Sequence, residues 1–174
     1  AGVVEDLVSQ GTITYAGIDI TLGSIDGKPA PHLDLNSYVA GLTSIVIDPK
    51  RLPTSCMTAN ELTDYRALNG GMMWAVTQVR PPEAFRVSEL AGNVGNPLVQ
   101  HLHEANECLQ LMQSTPCRIT LRTLTGSLKL VVHTDASWGN VSNGQSQGGE
   151  FISLAEDNYE KFTEASSTRA NETW

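Results

Sequence analysis

A single carboxylate at the end of an apolar run is the first pattern in this sequence that can do chemistry. The stretch "KLVVHTDASWGN" places Asp135 after an apolar run, and a small residue, a serine and Trp138 follow it. A loop of Gly, Asn, Ser and Gln then leads to a second apolar run, "EFISL". Carboxylate oxygens at a strand end can hold a hard divalent cation. Asp135 is therefore the candidate catalytic residue and metal ligand; Mg²⁺ is implied only if the chain is catalytic, and no other cofactor is expected.

Two other patterns point to competing chemistry. In "HLHEANEC", His101, Glu104 and Cys108 share one face if the segment is helical. A zinc site needs three or four converging ligands, so a solvated polar helix face is the favoured interpretation. Cys56 is a candidate nucleophile, but no histidine or basic residue lies beside it in the sequence to activate it.

Composition narrows the function classes. The 174 residues include 11 Lys+Arg and 19 Asp+Glu, a net charge of −8 that disfavours binding to a phosphate backbone. Basic residues are scattered and form no stripe. The three cysteines make no CxxC pair, which favours a reducing, intracellular compartment without specifying which one. No apolar run reaches the roughly 18 residues of a transmembrane helix, so none is expected.

The N-terminal third predicts a strand, a turn and a short helix. Residues 11–22, "GTITYAGIDITL", have the alternation and β-branched content of one strand. The following "GSIDGKPAP" predicts a turn with two glycines and two prolines. The segment "LDLNSYVAGL" predicts a short helix, capped by Asp34 or Asn36.

Three helices are predicted next. Thr58 and Glu61 have the spacing of a capping box, and an apolar stripe then runs to Val79, interrupted by Asn69. Gly70-Gly71 in the middle of this helix predicts a kink or the close approach of a neighbour. Pro82 begins a second helix that ends near Val94. Pro97, after a cap at Asn96, begins the third helix. Its apolar stripe is Leu98, Leu102, Ala105, Leu109 and Met112.

The apolar period changes to two from Arg118. The runs "RITLRTL" and "LKLVVHTDA" flank Thr125-Gly126-Ser127, which predicts a β-hairpin between them, followed by a short strand at "EFISL". After position 156 the sequence is polar and aperiodic. The predicted fold class is α+β: an N-terminal strand–turn–helix, three helices, and a C-terminal antiparallel β unit.

An ordered set of residues resembles one family. The stretch "LTDYRALNGGMMWAVTQVRPPEAFRVSELAGNVGNPLVQHLHEANECLQLM" is similar to the segment after the reverse-transcriptase palm in copia-type retrotransposon polyproteins. The residues that carry this resemblance are Tyr65-Arg66, Leu68, Gly70, Trp74, Arg80-Pro81, Val87, Leu90, Ala105-Asn106, Leu109, and Asp135-Ala136 with Trp138. It covers roughly residues 15–154.

The resemblance implies four parts. Residues 1–57 would be a polymerase thumb-like piece, 58–117 a helical connection, 118–156 a partial ribonuclease H-like β unit, and 157–174 a polar tail. Asp135 matches the first catalytic carboxylate of the ribonuclease H domain, one of several that hold two metal ions in that family. No polymerase "DD" pair is present, and only Glu160 or Glu164 is available as a second ligand.

Three functions follow from these expectations. The first is a non-catalytic, structural fragment of such a polyprotein. The second is a repurposed interaction module or accessory subunit, with protein partners in a larger assembly. The third is an active Mg²⁺-dependent ribonuclease H acting on RNA:DNA hybrid. The sequence does not decide whether a longer polyprotein extends on either side.

Overall fold

A computed structural model of the chain describes residues 7–137, 139 and 146–156. The chain forms two compact units, residues 1–122 and 123–174. The α+β fold class is confirmed: the described residues form five α-helices and two antiparallel sheets. The finer four-part division and the ribonuclease H-like arrangement stay predictions, and the polar tail lies outside the described residues.

The first unit contains all five α-helices of the described residues. In chain order its elements are α1 (Leu7–Gln10), β1 (Thr12–Tyr15), β2 (Ile18–Ile25), β3 (Lys28–Asp34), α2 (Asn36–Ala40), α3 (Ala59–Gln78), α4 (Ala84–Gly92), α5 (Val99–Ser114) and β4 (Arg118–Thr120). Short 3₁₀ turns, Pro81–Glu83 and Asn93–Gly95, flank α4. No helix among the described residues has both the length and the apolar character needed to cross a bilayer.

The N-terminal sheet differs from the expectation of one strand over residues 11–22. The chain turns at Ala16-Gly17, where φ is 50° and 81°, so β1 and β2 form a hairpin. A second turn at Asp26-Gly27, with φ of 52° and 73°, joins β2 to β3. Two consecutive residues with positive φ make the tight turn that suits a twisted hairpin. The residues predicted as one long turn therefore mostly extend β2 and β3, including both prolines.

The predicted hairpin between "RITLRTL" and "LKLVVHTDA" is wrong. β4 pairs with β3, which places Ile119 opposite Leu33 in a four-stranded sheet of order β1-β2-β3-β4. His32 Nδ1 and Thr120 Oγ1 lie 2.8 Å apart across the same pair of strands. Ile119 and Leu33 both pack against the helical core. This long-range burial, invisible to local periodicity, decides the pairing.

The beginnings of the three long helices are set by different local interactions. The Thr58 hydroxyl accepts a hydrogen bond from the Glu61 N–H, and the Glu61 carboxylate accepts one from the Thr58 N–H, so the predicted capping box is confirmed. The Thr58 N–H lowers the pKa of the Glu61 carboxyl. The 3₁₀ turn Pro81–Glu83 precedes α4, so Pro82 lies in that turn and not at the first position of α4. α5 begins at Val99, two residues later than predicted.

Helices α3, α4 and α5 pack on one another around a continuous apolar core. The predicted stripes are buried, among them Met72 and Val76 of α3 and Leu102, Leu109 and Met112 of α5. The core also contains a buried polar residue, Asn69, which interrupts the apolar stripe of α3.

Asn69 and Tyr65 tie α3 to α4. With the amide oriented so that both of its groups are satisfied, the Asn69 nitrogen donates to the Val87 carbonyl at 3.3 Å and its oxygen accepts from the Ala91 N–H at 3.1 Å. The Tyr65 hydroxyl donates to the Leu90 carbonyl at 2.5 Å, and burial raises the pKa of Tyr65 to about 12. Asn69 therefore interrupts the apolar stripe because it bonds the backbone of the neighbouring helix.

A buried arginine connects the remaining elements of the first unit. Arg80 is fully buried and binds Glu83 through two of its nitrogens, with Nη2 to Oε1 at 3.0 Å and Nε to Oε2 at 3.5 Å. Its Nη2 also donates to the Thr115 carbonyl at 2.6 Å, and its Nη1 donates to Asn36 Oδ1 at 3.4 Å. Asn36 Oδ1 accepts a further bond from the Cys117 N–H at 3.1 Å. One guanidinium thus joins the end of α3, the start of α2 and the segment between α5 and β4.

Removing Arg80 should destabilise the first unit strongly. Arg80→Met leaves the Glu83 carboxylate buried without its partner, so we expect a loss of about 3–5 kcal/mol in the free energy of unfolding. Urea unfolding followed by circular dichroism at 222 nm measures it, because the described helices all lie in this unit. The double variant Arg80→Met/Glu83→Leu should lose less, since it leaves no unpaired buried charge. A loss below about 1 kcal/mol in Arg80→Met would contradict this account.

The two adjacent glycines of α3 should respond differently to alanine. A Cβ on Gly71 would lie 2.9 Å from Leu42 Cδ2 and 3.4 Å from the Tyr38 hydroxyl, which confirms the predicted close approach; a Cβ on Gly70 would meet nothing within 4 Å. Gly70→Ala should therefore stabilise the chain by about 1 kcal/mol through helix propensity. Gly71→Ala should gain clearly less or lose stability. The same urea titration compares the matched pair, and equal gains would refute the role assigned to Leu42.

Candidate functional site

Asp135 lies on a two-stranded antiparallel sheet in the second unit. β5 (Leu128–Ser137) pairs with β6 (Gln147–Glu156) over their full length, with Asp135 opposite Gly149. At the end of β6, the Glu156 carboxylate accepts hydrogen bonds from the N–H and the hydroxyl of Thr125, which precedes β5. The C-terminal antiparallel β unit is therefore present, with β6 longer than the predicted "EFISL" strand.

The surroundings of Asp135 offer few further ligands. Its side chain is exposed. Alternation along the strands puts it on the same face as His133 and Phe151, whose rings lie 6.3 Å apart. Glu150 pairs with Thr134 and so projects from the opposite face. Within residues 7–137, 139 and 146–156, no three His, Cys, Asp or Glu side chains are placed to hold a metal ion.

The remaining parts of the predicted metal site are not described. Glu160 and Glu164, the two acids left as possible second ligands, lie outside the described residues, as does Trp138 of the "DASW" string. The role of Asp135 as a metal ligand and catalytic residue stays a prediction. By itself one exposed carboxylate gives Mg²⁺ far fewer than its preferred six oxygen ligands, most of which would have to be water.

The zinc interpretation of α5 is not supported by the positions of its residues. His101 Nδ1 accepts a hydrogen bond from the Leu98 N–H at 3.1 Å, so this side chain caps the start of α5. Cys108 is fully buried among apolar core residues, and this burial raises the pKa of its thiol. His101 and Cys108 are therefore both occupied by packing or capping. Cys56, the candidate nucleophile, is an exposed residue in the loop before α3.

Two amide side chains of α5 perform a role that the sequence patterns did not indicate. Asn106 Nδ2 donates to the Ile45 carbonyl and its Oδ1 accepts from the Ile45 N–H, both at 2.8 Å. Gln113 Nε2 donates to the Val39 and Leu42 carbonyls at 3.2 and 3.0 Å. These bonds attach the end of α2 and the segment that follows it to α5. An Asn in an "AN..L" string gives no local hint of a partner 61 residues away.

An open polar groove of about 490 Å³ lies along these contacts. Its lining consists of Ser44, Ile45, His103, Asn106, Glu107, Leu109, Gln110 and Gln113. Asn106 and Gln113 are already engaged with the segment they hold. Glu107 is bound to Arg86 at 3.2 Å in an exposed ion pair. The groove lies where the segment around Ile45 is attached to α5. Its described lining presents no cluster of groups suited to catalysis.

The face of the β5–β6 sheet opposite Asp135 is aliphatic. By strand alternation it presents Leu128, Leu130, Val132, Ile152 and Leu154. These five side chains are 50–67% exposed. This set is hereafter called the aliphatic face. Its signal in the sequence was the alternation in "LKLVV", which predicts a strand with one buried side, although this structure leaves that side open.

Comparison with known proteins gives one relative. The chain is 26% identical over 139 residues to the "Putative transposon Ty5-1 protein YCL074W" of Saccharomyces cerevisiae (strain ATCC 204508 / S288c). The match covers 78% of this chain and 45% of that protein, so the chain spans less than half of the relative's length. No family model matches the chain, and no solved structure matches it significantly. The similarity relates the chain to a transposon protein, and the copia-type and domain-level resemblances stay predictions.

Proposed function

We propose that this chain is a non-catalytic, structural piece of a copia-type retroelement polymerase polyprotein. Its similarity to a transposon protein over most of its length supports the retroelement origin. The structural role depends on a different observation, namely where the residues that carry the family resemblance lie in the fold.

Of the twelve residues that carry the resemblance within residues 58–117, seven are core residues. Tyr65, Arg80, Val87, Ala105 and Leu109 are at most 1% exposed, and Leu68 and Leu90 are at most 5% exposed. Tyr65 and Arg80 use their polar atoms within the unit, on backbone carbonyls or on Glu83. These seven buried residues therefore help to specify how α3, α4 and α5 pack. This burial is the observation that supports a scaffold role for residues 58–117.

The catalytic alternative depends on Asp135. That carboxylate is exposed, and in the described residues it has no second acid on its own sheet face. Cleavage of a phosphodiester by two metal ions needs several ligands that hold the metals roughly 3.5–4 Å apart. The net charge of −8 also opposes binding of a nucleic-acid duplex. Both features favour the structural reading over a ribonuclease H acting on RNA:DNA hybrid.

A hybrid cleavage assay tests this proposal. The purified chain is incubated with an RNA:DNA hybrid labelled on the RNA strand, in Mg²⁺ and separately in Mn²⁺, beside the Asp135→Asn variant. Asparagine keeps the size of the side chain and removes the charge that would bind a metal ion. We expect neither protein to cleave above the buffer control. Metal-dependent cleavage by the wild-type chain that disappears in Asp135→Asn would overturn the proposal.

A role as an interaction module is the second candidate, and one observation favours it. The aliphatic face exposes five large side chains on a sheet that has two strands among the described residues. Contiguous exposed apolar surface of this kind marks protein contact sites. A structural piece of a larger assembly and an interaction module are compatible roles.

A further inference from the structure

One Asn-Gly dipeptide lies inside the packed helices. The sequence contains this dipeptide twice, at residues 69–70 and 143–144, and the second pair lies outside the described residues. Asparagine is a thermally labile residue, and a glycine after it leaves the next backbone nitrogen without a side chain to shield it. We propose that Asn69-Gly70 is a spontaneous deamidation site that the native packing of α4 on α3 protects, so that opening of this contact leads to a lasting modification of the chain.

The reaction needs no reagent other than base and water. Base removes the proton of the Gly70 N–H, and the nitrogen then attacks Asn69 Cγ. The bond between Cγ and the side-chain nitrogen breaks, and that nitrogen takes a proton from water and leaves as ammonia. One water opens the resulting succinimide ring at either of its carbonyls. The products are aspartate and isoaspartate, and in the latter the main chain runs through the side-chain carbon.

The fold holds both reacting groups in other bonds. The Gly70 nitrogen lies in the middle of α3, where helix geometry directs its N–H to the carbonyl of Arg66, four residues earlier. With the amide oriented so that both of its groups are satisfied, Asn69 donates to the Val87 carbonyl at 3.3 Å and accepts from the Ala91 N–H at 3.1 Å. Asn69 is only 6% exposed. The attack therefore requires that α4 leave α3 and that the helix open at Gly70.

The modification removes the contact from which it arose. An oxygen in place of the Asn69 amide nitrogen has no proton to donate to the Val87 carbonyl, so two acceptors would face each other. A carboxylate is costly at a position that is so deeply buried. Isoaspartate adds an atom to the main chain and interrupts the regular spacing of helical hydrogen bonds. A chain that has opened and reacted therefore cannot repack α4 on α3 as before.

Peptide mapping by mass spectrometry on the full 174-residue chain tests the proposal. The chain is kept at mildly alkaline pH in buffer and in concentrated guanidinium chloride, and the amide remaining at residue 69 is followed. The pair Asn143-Gly144 calibrates the unfolded rate. In denaturant, residue 69 should react about as fast as residue 143 and give both aspartate and isoaspartate. In buffer it should react on the order of a hundredfold more slowly, since its rate follows the population of opened chain.

Two glycine variants separate the chemistry from the stability of the fold. In denaturant, Gly70→Ala places a methyl group beside the attacking nitrogen and should slow the reaction at residue 69. Gly71→Ala is the matched control, because it leaves the Asn-Gly pair intact and should react at the wild-type rate. Neither measurement needs a folded chain, so misfolding cannot imitate the result. Equal rates for the two variants would overturn the proposal, as would a wild-type rate at residue 69 that is the same in buffer and in denaturant.

The consequence for the fold is tested with Asn69→Asp, one of the two products. Its urea midpoint, followed by circular dichroism at 222 nm, should lie below that of the wild type. Asn143→Asp makes the same change in the other unit and should keep the wild-type midpoint for the helices. An unchanged midpoint in Asn69→Asp would refute the claim that the modification prevents repacking. None of these outcomes bears on hybrid cleavage, so this inference and the proposed function fail separately.

Discussion

The buried guanidinium of Arg80 is the constraint on which the first unit depends. A charge removed from water must be neutralised and fully hydrogen-bonded, and Arg80 meets this requirement with Glu83, the Thr115 carbonyl and Asn36. Those partners come from the turn before α4, the end of α5 and the start of α2. Each of these three segments must therefore come within hydrogen-bond distance of the Arg80 guanidinium at the end of α3. Through Asn36 and the Cys117 N–H, the same point also determines where the chain leaves α5 and enters β4. Hydrogen bonds of Arg80 and Asn36 connect the helices to the start of β4, and apolar side chains pack between these elements.

The second unit is stabilised in a different way. In the described residues, the β5–β6 sheet has cross-strand hydrogen bonds and the bonds of Glu156 to Thr125, but its aliphatic face remains exposed. The same kind of strand pattern in the first unit, at β3 and β4, is buried against helices. The difference between the units is thus one of available partners, since both have strands of suitable composition.

Local signals predicted the parts of the fold that local interactions determine. The Thr58–Glu61 capping box, the apolar stripes of α3 and α5 and the strand character of residues 128–136 all follow from contacts within a few residues or from periodicity. The tight turn at Ala16-Gly17 was a local signal that the predicted single strand over residues 11–22 missed. The other main errors come from contacts between distant parts of the chain. Pairing of β4 with β3 joins positions about 86 residues apart, and the contacts of Asn69 and Asn106 join different helices and segments. Alternation shows that a strand has two faces and does not show which strand lies beside it. For the candidate site, the sequence predicted Asp135 as a ligand and placed it on a strand. The further ligands it offered, Glu160 and Glu164, lie outside the described residues.

The burial of the family-like residues also bears on what the resemblance means. A buried tyrosine, arginine or leucine is retained by a fold for the stability it provides, whether or not the protein cleaves anything, because its loss leaves a cavity or an unpaired charge. An exposed acid such as Asp135 provides little stability by itself, so a match at its position says little about packing. The residues Tyr65, Arg80 and Leu109 of the proposed resemblance therefore bear on helix packing and not on catalysis. Evidence of shared catalysis would have to come from a set of converging exposed acids, and of these the described residues contain Asp135 alone on its face of the sheet. A fold can therefore persist without catalysis, because replacing an exposed metal ligand does not change the buried residues that pack the core.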